Sequence, residues 1–241
     1  MRASALTGMA AAIAALAVVL SGCGSDTKTA TSSSSSTESS TKESKSSKSE
    51  TTTSKKPKVA PRDEEAPGAN PTIASYIQEN GITEAPVKMG DPGSPTIDLP
   101  IPEGWEAAGE DTPEWAYGAI IYNGPEAAEY TPSIVAIVSK LTGEADPQAI
   151  IDLAPGELNN LPGFEAMNDG AASTLGEYPA FQLGGTWQKD GETRVVAQKT
   201  VVIPGPDGLY VLQLNADGLE SQIDLLGAAT DVIDNETTIT F

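Results

Sequence analysis

"AFQLGGTWQKDGETRVVAQKTVVIPGPDGLYVLQLNA", residues 180–216, decides the fold. Two runs rich in β-branched and aromatic residues flank "KDG" at 189–191, a good hairpin turn. "GPDG" at 205–208 joins the second run to "LYVLQLNA". Two hairpins in succession set three strands side by side and antiparallel. Upstream, "TPSIVAIVSKLTG" (131–143) is apolar on both faces, as a central strand must be. "EWAYGAIIYNG" (114–124) reads as a further strand.

Helices punctuate these strands. In "PTIASYIQENG" (71–81) Thr72 can cap, Ile73 and Ile77 share a face, and Gly81 stops the helix. "ADPQAIIDLAPGELNNLPG" (145–163) opens with Asp146 as N-cap and Pro147 at the first helical position. Ile150, Leu153, Leu158 and Leu161 form its apolar stripe, and Pro155 must kink or restart it. "DGLESQIDLLGAATDVI" (217–233) predicts a helix with Leu219, Ile223, Leu226 and Ile233 on one face. "TTITF" closes the chain as a strand or tail. Consecutive hairpins with helices at intervals give an α+β domain, an antiparallel β-sheet flanked by helices, over residues 71–241. It contains no internal repeat and no second boundary.

The N-terminal part reads differently. Arg2 is followed by the apolar run "AAIAALAVVL" (11–20), the pattern of a secretory signal peptide over residues 1–22. The run is too short to span a bilayer comfortably, which takes about 20 residues. Leu20-Ser21-Gly22-Cys23 resembles the bacterial lipobox. That resemblance implies cleavage before Cys23 and a diacylglyceryl thioether on its sulfur. Residues 23–70 then form the lipid anchor and a linker. From Thr27 to Ser54, 20 of 28 positions are Ser or Thr, too polar to offset the entropy of ordering them. "KKPKVAPRDEEAPGANP" (55–71) adds prolines that stiffen the exit.

Composition removes whole classes of chemistry. The chain has no histidine, and its one cysteine is the candidate lipid attachment point. Ser-His-Asp and Cys-His catalysis lack their imidazole, and so do the usual zinc and iron sites. No metal site and no cofactor is expected. From Asn70 to Phe241 there are 27 acidic and 5 basic residues, a net charge of −22. Nucleic acid is an unsuitable partner for such a surface, which favours a soluble monomer.

Carboxylates are the catalytic groups in supply, and a glycoside hydrolase needs two of them. Glu103, Glu106, Glu110, Asp111 and Glu114 cluster in sequence near Trp105 and Trp115; alternatively they are solvated acids of a very acidic domain. Trp105, Trp115, Tyr117, Tyr122 and Trp187 are candidate linings of an apolar ligand pocket, or else core filling. No catalytic residue is assigned.

"GDPGSPTIDLPIPEGWE" (90–106), running into "TPEWAYGAI" (112–120), resembles the actinobacterial LpqN/LpqT lipoprotein family. "TIASYIQENGITEAPV" (72–87) and the spacing to "ADPQAIIDL" (145–153) agree with it. The resemblance covers roughly residues 71–241 and the lipobox. It implies an α-β-α sandwich of the Mog1/PsbP type and a place on the outer face of the plasma membrane, anchored through Cys23. It implies a non-catalytic accessory to transport of trehalose-type mycolic glycolipids, working with an RND-type lipid exporter. The alternative is a protein-interaction module that docks an exporter or another partner through its acidic face.

Overall fold

The computed structural model describes Val59 and residues 68–241. Cys23 and the signal peptide lie outside the described residues, as does the linker apart from Val59 and residues 68–70. In chain order the elements are α1 (Ile73–Glu79), β1 (Thr83–Pro86), β2 (Thr96–Asp98), β3 (Trp105–Ala107), β4 (Gly118–Tyr122), β5 (Ser133–Thr142), α2 (Pro147–Leu153), α3 (Gly156–Asn159), β6 (Glu165–Ala166), β7 (Ala171–Leu175), β8 (Tyr178–Lys189), β9 (Glu192–Gly205), β10 (Gly208–Leu219), α4 (Ile223–Glu236) and β11 (Thr238–Thr240).

Both expected hairpins form. Asp190 and Gly191 turn between β8 and β9 with φ of 54° and 84°, the left-handed pair that matches the twist of the flanking strands. Pro206 and Asp207 turn between β9 and β10, where Gly205 faces Gly208. The sheet then runs β3-β4-β5-β10-β9-β8-β6, with β1 added to β5 and β7 to β8. Every one of these pairings is antiparallel.

Period-two alternation divides the sheet into two faces. Val201, Ile203, Leu212 and Leu214 point to the front, where they cluster with Leu226, Ala229 and Ile233 of α4. Val202, Leu209 and Val211 point to the back, against Ile73 and Ile77 of α1 and Ile150 of α2. Leu158 of α3 joins Leu183, Trp187 and Val196 on the same back face. The result is the expected three-layer α-β-α arrangement. A separate pairing of β2 with β11 brings Ile97 and Ile239 onto the front cluster.

Local chemistry sets the helix ends. Thr72 caps α1 in a capping box with Ser75. Asp146 caps α2 by accepting from the Gln148 amide at 2.9 Å. Pro155 separates α2 from α3, as the residue demands.

Three readings shift. The last helix begins at Ile223, not at Asp217: residues 217–219 extend β10, with Asp217 opposite Val196 and Leu219 opposite Arg194. The long β9 offers those residues a ladder, which outcompetes the helical periodicity. Leu219 is thus a strand residue, and Ile223 is 38% exposed in the first turn of α4. Second, β4 takes only the latter half of residues 114–124. Third, Val59, inside the segment read as linker, is 4% exposed. It is packed on Ala108, Ala116, Ile121 and Val135 at the back of β4 and β5.

The back face also carries a buried ionic group. Arg194 is 5% exposed; its guanidinium pairs with the Asp217 carboxylate and donates to the Tyr130 hydroxyl, which in turn donates to Asp217. The guanidinium lies 3.8 Å from the Tyr130 ring centroid. Burial raises the Asp217 carboxyl above its ordinary value, opposed by the Tyr130 hydrogen bond and the Arg194 charge. Burial and the neighbouring carboxylate push the Tyr130 phenol far up, so it stays a neutral donor.

Removing the cation from such a pair strands a buried charge. Arg194→Met should cost roughly 3 kcal/mol at neutral pH, the low end for buried pairs because Asp217 keeps 21% of its side-chain surface. The melting temperature should fall by roughly 10 °C. The variant's Asp217 has a folded pKa raised further above its unfolded one. Its uptake of a proton therefore favours the folded state, an effect lost as pH rises through the folded pKa. Melting curves at pH 7.5 and pH 5 should show the deficit shrinking at the lower pH. A constant deficit would mean that the cost is packing alone.

Candidate functional site

A cleft of about 290 Å³ opens on the front face, between α4 and the strands β8, β9 and β10. Its floor is apolar: Ile134, Leu214 and Ala216 from the sheet, and Ile233 from α4. Its rim is polar: Asn168 and Gln182 on one side, Lys199 at the sheet, and Thr230, Asp231 and Asp234 on the helix.

Lys199 is the unusual member. Alternation along β9 aims it to the front beside Ala197 and Val201, opposite Gln182 and Leu214 in register. It is 8% exposed. Such a burial is costly for an ammonium without a partner, and α4 supplies one: Nζ lies 2.6 Å from Asp234 Oδ2. Asp234 follows Ile233, the last buried residue of the helix stripe, so the packing that seats α4 also delivers the carboxylate. The pair presents donors and acceptors at the cleft without net charge.

The cleft owes its space to small side chains. Gly184 lies opposite Ala197 in the β8–β9 ladder, and both line it. A Cβ on Gly184 would find its nearest neighbour, the Ala197 Cβ, at 3.4 Å, so the position has room. The adjacent Gly185 faces the back and differs. There a Cβ would lie 2.5 Å from the Glu165 carbonyl oxygen and 2.5 Å from the Phe164 ring, because β6 crosses at that point. One glycine opens the front and the other admits a strand at the back.

A family model described as "Probable lipoprotein LpqN" matches residues 69–240, nearly the whole of the domain that builds this cleft. The chain belongs to the LpqN lipoprotein family. Lipoprotein LpqN of Mycobacterium tuberculosis (strain ATCC 25618 / H37Rv) is 53% identical over 176 residues, covering 73% of this chain and 77% of that protein. The crystal structure of M. tuberculosis LpqN, a protein described as involved in cell envelope biogenesis, has a TM-score of 0.68 at 53% identity. It matches 72% of this chain and 100% of the solved one. The Ran-binding protein Mog1p of Saccharomyces cerevisiae is similar at 13% identity and a TM-score of 0.40. That match covers 65% of this chain and 95% of the other, a likeness too low to argue from.

The aromatic residues singled out from the sequence lie in two core clusters and at the surface of this LpqN-family domain, away from the cleft. Trp105 and Tyr117 are buried in the front cluster, where Tyr122 also packs; Trp105 and Tyr122 meet edge to face at 5.8 Å. The Tyr117 hydroxyl accepts from the Ile97 amide at 3.2 Å and so ties β2 to the sheet. Trp187 is buried on the back with Leu158 and Leu183, and Trp115 is 37% exposed. None of the five lines the cleft. Nor do the acids of the 103–114 stretch. Glu103, Glu110 and Glu114 are exposed there, and Glu106 accepts from the Asn123 side chain at 3.0 Å. Among the described residues no group of three or more acids or cysteines is arranged to hold a metal ion.

The cleft residues were missed, although two signals mark them. A lysine on the apolar phase of "VVAQKTVVI" (195–203) needs an inward partner. A Gly-Gly pair inside a strand needs a reason.

The glycine pair gives a stability test. Gly185→Ala should cost about 1–3 kcal/mol through overpacking, lowering the melting temperature by roughly 5 °C. Gly184→Ala should be neutral or stabilise by up to about 1 kcal/mol. Thermal melts of the two variants check this, and equal losses would contradict the assignment of faces.

Proposed function

We propose that this protein is a non-catalytic, lipid-anchored accessory of the cell envelope that takes up an amphiphilic lipid in the cleft under α4. The observation that carries the reading is the chemistry of that cleft. An apolar floor bordered by amides, a hydroxyl, the Asp231 carboxylate and a neutralised Lys199–Asp234 pair suits an uncharged, polyhydroxylated headgroup with carbon attached. A trehalose-type mycolic glycolipid has that character. The volume, about 290 Å³, lies at the lower edge of the range for ligand pockets, enough for part of such a molecule, the remainder lying outside.

Relatedness to LpqN of M. tuberculosis, described as involved in cell envelope biogenesis, supports an envelope role. Residues 11–23 support anchoring through a lipid on Cys23 at the outer face of the plasma membrane. The absence of histidine from the chain supports a binding role over catalysis. The net charge of −22 over residues 70–241 favours one further reading: docking of a basic surface, such as that of an RND-type exporter, by the acidic face.

Native mass spectrometry of the purified lipoprotein with a synthetic long-chain trehalose monoester, and separately with envelope lipid extract, tests the cleft. The wild type should carry one lipid. Gly184→Val, which fills the cleft from a position with room for its Cβ, should lose about tenfold in affinity, as for a blocked contact worth about 1.4 kcal/mol. Equal binding by both proteins would move the lipid elsewhere, and no binding by either would favour the docking reading. Metabolic labelling with an alkyne fatty acid should mark the wild type and not Cys23→Ala; an unlabelled wild type would end the anchor assignment.

A further inference from the structure

Val59 stands 13 residues before Thr72, the capping residue of α1, in a stretch whose composition reads as linker. Its burial at 4% makes it an exception there. The surface that receives it is a shallow apolar dish. Ala108, Ala116 and Ala119 keep it low, and Ile121, Val135 and Ile137 supply its walls and floor. The dish lies at the back of β4 and β5, away from the back clusters that α1, α2 and α3 cover.

The two alanines at its rim bracket an acidic segment. Between Ala108 and Ala116 the chain carries Glu110, Asp111 and Glu114, folded tightly by the Asp111 amide donating to the Ala108 carbonyl at 3.0 Å and the Ala116 amide to the Pro113 carbonyl at 2.9 Å. Lys88 reaches this segment, but its Nζ donates to the main-chain carbonyls of Glu114 and Ala116. Around Val59 the sequence is "KKPKVAPR": Lys55, Lys56, Lys58 and Arg62 fall within four residues of it. At about 3.3–3.6 Å per extended residue, all four start within roughly 14 Å of the buried valine. Val59 is the one branched apolar residue of the most basic stretch of the chain, and Ala108 and Ala116, which help to receive it, flank a triply acidic turn.

We propose that the segment Lys55–Arg62 is a built-in ligand of the domain, with Val59 as apolar anchor and its cations matched to Glu110, Asp111 and Glu114. The occupant of the dish is this chain's own linker. A second fixed point follows it closely: Asn70 exchanges hydrogen bonds with Asn160 at the end of α3, main-chain amide to Oδ1 at 3.0 Å and Asn160 Nδ2 to the Asn70 carbonyl at 2.9 Å. The free leash then ends near Ser54 instead of residue 70. A flexible coil of that length reaches roughly 30 Å, against roughly 40 Å for the whole linker. Docking also withdraws four cations from the anionic headgroups that would otherwise attract them.

Trypsin reads the segment directly in the full-length lipoprotein held in detergent. Lys58 and Arg62 lie in the docked segment, and Lys45 and Lys48 in the Ser/Thr stretch serve as internal controls. Cleavage after Lys58 and Arg62 should be at least about tenfold slower than after the controls, since proteolysis follows the undocked population. Val59→Asp should abolish that protection without lowering the melting temperature of the domain. The triple change Glu110→Gln, Asp111→Asn and Glu114→Gln should weaken it and remove its sensitivity to 0.5 M salt, because screening acts on the exposed charges. Equal cleavage at all four sites in the wild type, or protection that survives Val59→Asp, overturns the proposal. Protection that fades on dilution overturns it too, by making the occupant a neighbouring molecule's linker.

Discussion

The ladder between β9 and β10 governs the molecule. Its register runs from Gly208 opposite Gly205 to Leu219 opposite Arg194, and it fixes which face every side chain of the central strands meets. Slipping it by one residue would turn Val201, Ile203 and Leu212 out of the front cluster and bring Gln198, Thr200 and Gln213 under α4. Two tight turns make that slip unfavourable. Asp190 and Gly191 hold one end of β9, and Pro206 and Asp207 hold the other. The helices follow from the faces so defined. α4 has one apolar stripe and one place to bury it, and α1 and α2 share the opposite side.

The two faces handle polar groups differently. The front face is largely apolar, and its buried charge is Lys199, where Asp234 meets the ammonium and a cleft remains beside the pair. The back face carries a polar seam. There Gln198 donates to Glu157 and to Asn215, and Arg194 lies between Tyr130 and Asp217. Such bonds fix how layers seat on each other, because a shifted layer would break them. The seam is packed between layers and leaves Arg194 Nε and Asn215 Nδ2 buried without a partner, while the front pair borders open space.

Sequence was a good guide where a signal is local. The hairpin turns, the Thr72 and Asp146 caps, the Pro155 restart and the doubly apolar β5 each depend on a few neighbouring residues, and all stand as read. It failed where a distant partner decides. Residues 217–219 look helical until β9 offers them a ladder. The short strands β1, β3, β6 and β7 exist because a longer strand presents an edge. For the site, aromatic content left two readings open, pocket or core: Trp105, Tyr117 and Trp187 bury large apolar surfaces and take the core one. The cleft lies where side chains are small, and small residues such as Gly184, Ala197 and Ala216 carry no chemical label. Lys199 could have been flagged by its phase in the strand, but its partner on α4 could not.

The position of Val59 has a directional consequence. The chain meets the sheet at the back of β4 and β5, and the cleft opens at the front under α4. About 10 Å of packed layer separates one face of a sheet from the elements on the other. A molecule held at the front is therefore carried on the side opposite the chain's point of entry, with its exposed end toward whatever stands before the domain. Val59 and the cleft thus lie on opposite faces of one sheet.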